Sequence, residues 1–182
     1  MTSETPQVPT EIETFVAAAR EYVRRAIGIE LDGTDTSLAF IDHYVDKTVG
    51  VGPLDDQVLK LVAGAIGAYF GQVAIGRFGG HWVVEGDDPA RWRVELEPVE
   101  LRFFPVGMAA EALRQDEVPG YDSSFVTRQS LMALLGEALA TAPPVDEHYY
   151  YSLTGRLETL EHAVEILVEF ERRRSEAAPK PN

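Results

Sequence analysis

From Leu61 to Val106 the chain reads LVAGAIGAYFGQVAIGRFGGHWVVEGDDPARWRVELEPVELRFFPV, and this stretch narrows the fold more than any other. Its first part is almost uniformly apolar and carries Gly64, Gly67 and Gly71. Inside a helix each glycine costs up to about 1 kcal/mol relative to alanine. The cost is offset where a bare ridge lets a neighbouring helix or sheet come close, so this helix belongs in the core. Gly79-Gly80 ends it. Trp82 then alternates with His81 and Val83, Trp92, Val94 and Leu96 with Arg93, Glu95 and Glu97, and Val99, Leu101 and Phe103 with Glu100 and Arg102. Period-two patterning with one wet face predicts three short antiparallel strands. Their Glu and Arg side chains should meet across the exposed face. Gly86-Asp87-Asp88-Pro89 and Glu97-Pro98 are the turns.

The flanks read as helices. Thr10 is placed to cap a helix over 11–27 that Gly28 stops. Thr36 or Ser37 caps a second over 37–48. Pro53 opens the glycine-bearing helix, with Asp55 and Asp56 in its first turn, and it runs to Phe78. After the strands come a short helix over 106–114, a loop, and a helix over 124–141 capped by Ser123 or Ser124. Pro143-Pro144 ends that helix, and a last one over 147–174 carries Leu153, Leu157, Leu160, Val164 and Phe170 as an apolar stripe. The expected class is α+β: helices flanking a small three-stranded antiparallel β-meander, with a C-terminal helical pair. One domain spans 9–174, between flexible tails at 1–8 and 175–182.

Composition removes several function classes. The 182 residues include no cysteine, so thiolate catalysis, disulfides and Cys-ligated zinc are excluded. The formal net charge of −14 argues against a nucleic-acid partner, which needs a basic face. It favours attraction to a basic protein. The apolar run from Leu61 to Ile75 is about 15 residues long, short of the roughly 20 that span a bilayer. The start of the chain lacks the basic and apolar regions of a signal peptide. The expectation is a cytoplasmic protein with no membrane partner.

Three clusters are candidates for chemistry or recognition. Asp42, His43 and Asp46 lie on the second helix, and Glu158, His162 and Glu165 share a face of the last. Either set could contribute to a metal site, although helical di-metal proteins draw ligands from several helices. The bland reading of both is a solvated acidic face. His148-Tyr149-Tyr150-Tyr151 is the third cluster. Consecutive aromatics cannot all enter one helical core face, so at least one tyrosine should be exposed or meet a partner, as tyrosines at interfaces do. The glycine-rich Gly76–Trp82 segment lacks the Gly-Lys-Ser/Thr of a phosphate loop, and no Gly-x-Ser-x-Gly elbow is present. No catalytic residue and no cofactor is assigned.

Gly67-Ala68-Tyr69-Phe70-Gly71, then Gly79-Gly80-His81-Trp82, then Trp92-Arg93-Val94-Glu95-Leu96 and Phe103-Phe104-Pro105-Val106 form a series. It resembles a loose group of uncharacterised bacterial proteins in which an Ala/Gly-Tyr-Leu-Gly-Glu helix precedes a Gly-Gly-x-Trp strand. The resemblance covers about residues 36–114 and implies a structural motif without an activity. This chain has Gln72 where those proteins often carry Glu. The functional expectation is a non-enzymatic acidic protein-interaction domain of adaptor, regulatory or immunity-like type, monomeric or homodimeric, with a basic protein partner. A metal-dependent or other small-substrate enzyme, and a small-ligand-binding domain lined by Trp82 and Trp92, are the alternatives.

Overall fold

The computed structural model describes residues 7–97 and 99–177. Most of the expected N-terminal tail, Pro98 of the second turn and the end of the expected C-terminal tail lie outside these residues. Val8 packs against the core, and residues 175–177 continue the last helix rather than starting a tail.

Helix α1 (Thr10–Ile27) has Pro9, not Thr10, at its cap position, with no side-chain cap. Gly28 closes it at φ 73°, a left-handed conformation glycine adopts without a Cβ clash. Neither Thr36 nor Ser37 caps α2 (Leu38–Val49) with its side chain. The Ser37 hydroxyl donates to Thr34 O and pairs with the Tyr69 hydroxyl at 2.6 Å, linking the start of α2 to the central helix. That helix, α3 (Asp56–Phe78), begins later than Pro53 predicts. The Asp55 carboxylate caps it, accepting from Gln57 N–H (3.0 Å) and Val58 N–H (2.9 Å). Two bonded N–H groups outweigh proline's preset φ in fixing where a helix starts.

α3 is long and apolar enough to cross a membrane, yet 72% of its most apolar window is buried by its neighbours in this fold. Its glycine ridge explains how. Helix α4 (Pro105–Arg114) lies against Gly67 so closely that a Cβ there would sit 2.5 Å from Val106 Cα and 2.7 Å from Val106 N. Phe15 of α1 covers Gly64, and the Trp82 indole covers Gly71. The ridge makes an intramolecular seam.

Among the described residues the sheet has four antiparallel strands in the order β1-β2-β3-β4, one more than the sequence predicts. They are β1 (His81–Val83), β2 (Arg93–Leu96), β3 (Leu101–Phe103) and β4 (Phe125–Val126). Trp82, Val94, Leu96, Leu101 and Phe103 are buried on the inner face. Glu95 stands opposite Arg102 in the register, but its carboxylate bonds Arg93 of its own strand (2.9 Å), and Arg93 also reaches Glu85 just past β1 (3.0 Å). β4 corrects the expected helix over 124–141. Residues 125–126 pair with β3 instead, and α5 starts only at Gln129 and ends at Ala140. An open strand edge offers Phe125 and Val126 backbone partners that a first helical turn lacks. The expected last helix divides into α6 (Glu147–Tyr151) and α7 (Leu153–Ala177), with Ser152 extended at ψ 149° between them. α7 packs on α2, α4 and α5, burying Leu153, Leu160, Ala163 and Leu167.

Candidate functional site

The break at Ser152 follows directly on the tyrosine run, which lies within α6. Asp146 caps α6 by accepting from Tyr149 N–H (2.9 Å). The three aromatics occupy successive positions of this one short helix. Tyr151 is buried, Tyr149 is half-buried and Tyr150 is 51% exposed. Gly155 permits the tight corner, because a Cβ there would lie 2.2 Å from Tyr149 O.

α7 then starts on a cap borrowed from another helix. The Asp42 carboxylate of α2 accepts from Leu153 N–H (2.7 Å), Thr154 N–H (3.1 Å) and the Thr154 hydroxyl (2.5 Å). Burial pushes the Asp42 carboxyl above the ordinary carboxylate range, and these three bonds partly oppose the shift. Asp46, one turn on, lies 3.3 Å from His148 Nε2, whose Nδ1 meets Gln115 Oε1 at 3.0 Å. Gln115 closes α4 in a left-handed conformation (φ 53°), and its amide donates to Ala112 O. His148 therefore bridges α2, α4 and α6. Burial first, then the neighbouring Glu158 carboxylate, pushes the Tyr149 phenol up to about 12.

Behind the tyrosines lies a buried ion pair. Arg156 Nη2 of α7 donates to Glu111 Oε2 of α4 at 2.6 Å, and both side chains are only 6% exposed. The other carboxylate oxygen accepts from the Ser123 hydroxyl (2.7 Å), drawing in the loop that follows α4. The Arg156 guanidinium also lies 4.4 Å from the Tyr150 ring centre and 5.6 Å from that of Tyr151. These ring faces stabilise a charge whose Nε is buried without an acceptor.

Around this pair opens a cleft of about 1780 Å³. One wall is the 116–125 segment, the loop and the start of β4, with Val118, Pro119, Tyr121 and Phe125; the other is the end of α5 and the α5–α6 connection, with Leu139, Pro143, Pro144 and Val145. Tyr150, Tyr151 and Arg156 lie at the base of α7 between them. Glu111, Asp116, Glu117, Asp122, Glu147 and Glu158 also line the cleft, and Arg156 is the one lysine or arginine among its described lining residues.

The structure thus unites part of what the sequence suggested. Tyr150 and Tyr151 reach the cleft; His148 and Tyr149 brace it from behind. The Asp42, His43 and Asp46 set is not a metal cluster: Asp42 caps α7, Asp46 faces His148, and His43 is exposed apart from both. Glu158 and His162 line the cleft, and His162 faces Glu165 at 3.9 Å. Among the described residues no group of three or more His, Asp or Glu side chains could hold a metal. Trp82 and Trp92 lie in the core, with indole N–H groups donating to Gln72 Oε1 (2.8 Å) and Gly86 O (3.2 Å).

Sequence reasoning passed over Glu111, Arg156 and the 116–125 loop. A signal for the pair was present. Arg156 falls between Leu153 and Leu160 at spacings of three and four, on the stripe itself, and Glu111 stands alone within Met108–Leu113. Two opposite charges in two apolar faces imply each other. Comparison with family models, with curated proteins and with solved structures finds no match to this chain.

Proposed function

We propose that the chain is a non-enzymatic protein-interaction domain that holds a partner protein in the cleft between the 116–125 loop and the α5–α6 connection. The observation that carries this reading is the cleft itself, which keeps tyrosine, proline, valine and phenylalanine surfaces open beside a fully built base. Small-molecule pockets occupy about 300–1,000 Å³, and this cleft, at about 1780 Å³, suits a longer occupant. Val145 and Tyr150 are more than half exposed there, which gives no advantage to the free protein. The catalytic reading has less support: the buried polar groups at the base bind one another, Glu111 with Ser123 and Arg156.

The domain would act in the cytoplasm as an adaptor, regulator or immunity-like protein. Its resemblance to the bacterial group rests on residues 36–114, whereas most of the cleft is built after residue 114. The shared element would then be the scaffold, with the recognition surface belonging to this chain's C-terminal part. The test is a pull-down from the source lysate with the wild type and with Val145→Ser/Tyr150→Ser. A protein retained near one-to-one by the wild type and lost by the variant supports the cleft. Equal retention by both, or none by either, overturns it.

A further inference from the structure

Resting on the interaction reading above, we infer that the occupant of the cleft is an extended segment in which lysine or arginine alternates with apolar residues. Charge complementarity selects it. The one guanidinium among the described lining residues, Arg156, is already paired with Glu111. Asp116, Glu117 and Glu147 line the cleft and make no ion pair with a described residue. Each is exposed, so each keeps its hydration until a partner arrives. An acidic or phosphorylated segment would meet this field as repulsion, and a purely apolar one would leave it unused. The walls add the second requirement. Val118, Phe125 and Val145 offer contacts that only apolar side chains can use.

An extended chain meets both requirements, since successive side chains point to opposite sides. Apolar residues would face the walls while cations reach the carboxylates of the rim. Tyr150 stands where the two meet. It is half-exposed, and its ring already carries the Arg156 guanidinium at 4.4 Å.

Three short fluorescein-labelled peptides test the inference by anisotropy: leucine alternating with arginine, serine alternating with arginine, and leucine alternating with glutamate. The leucine–arginine peptide should bind about tenfold tighter than the serine–arginine one, and the leucine–glutamate peptide should not bind. Glu117→Gln/Glu147→Gln should weaken the first and flatten its salt dependence, while Tyr150→Ser should weaken it at high salt as well. Equal affinity for both arginine peptides, or binding unchanged by these variants, overturns the inference. A photo-crosslinking amino acid at position 150, used in the source cell, separates the two levels. A crosslinked partner segment that is acidic or uncharged overturns this occupant and keeps the interaction domain. No crosslink together with no peptide binding overturns both.

Discussion

The α3–α4 seam and the α6–α7 corner are both tight junctions, yet they are held by opposite means. At the seam Gly67 is pressed on the backbone of Val106, and the contact there is one of shape, with an exposed Arg114–Asp56 pair at 3.4 Å only at the far end of the two helices. At the corner the close approach of Gly155 to Tyr149 O is accompanied by directional bonds: Asp42 on the α7 start, Glu111 on Arg156 and Ser123, His148 between Asp46 and Gln115. A seam of backbone against backbone leaves no room for a ligand and tolerates no added atom. A corner braced by polar ties can leave its apolar side chains unpartnered, and the cleft opens there.

The contrast can be broken most severely at the seam. Gly67→Val places branched carbon on backbone that cannot rotate away. A loss of at least about 3 kcal/mol is expected, at the upper end for overpacking, seen as aggregation or a large fall in Tm. At the corner Arg156→Met should cost about 3–5 kcal/mol, because Glu111 stays buried without its cation. Adding Glu111→Leu should recover most of that loss in urea denaturation, whereas no second change restores Gly67→Val so simply. A double variant no more stable than Arg156→Met would show that the pair holds the fold through more than charge compensation.

Smaller effects sharpen the comparison. Asp42→Asn should cost about 1 kcal/mol, the usual value of a helix cap. It also carries a sign. Burial raises the Asp42 carboxyl above its ordinary 3.8, so the folded chain holds that proton more tightly than the unfolded one. Its contribution to stability therefore declines as pH rises from 3.8 through the folded value. The gap between wild type and Asp42→Asn should narrow across that window, and a gap that widens would mean the three hydrogen bonds outweigh burial. Tyr150→Ser is last. Its side chain is half-exposed but covers the Arg156 guanidinium, so stability should fall by no more than about 1 kcal/mol while the proposed binding is lost.

Local signals carried much of the fold. Gly28 and Gly79 end their helices where a stop was expected, and the alternation around Trp82, Val94 and Phe103 marked the three strands of the meander. The misses share a cause. Phe125 and Val126 became strand because β3 had an open edge, and nothing within 124–141 records that edge. The last helix broke at Ser152 because Asp42, more than a hundred residues earlier, supplies a new cap. The tyrosine run correctly announced an exposed aromatic. It did not announce that Arg156 would lie beneath it, although that charge interrupts the α7 stripe in plain view.

By itself the sequence determined the class of structure, the buried glycine helix and the acidic surface, because periodicity, punctuation and charge act over a few neighbouring residues. Only the tertiary structure decided where the fourth strand pairs, which carboxylates become caps and that an apolar cleft opens beside the tyrosines. Those outcomes depend on groups distant in the chain that meet only when the core closes, and a backbone group accepts whichever partner that closure presents to it.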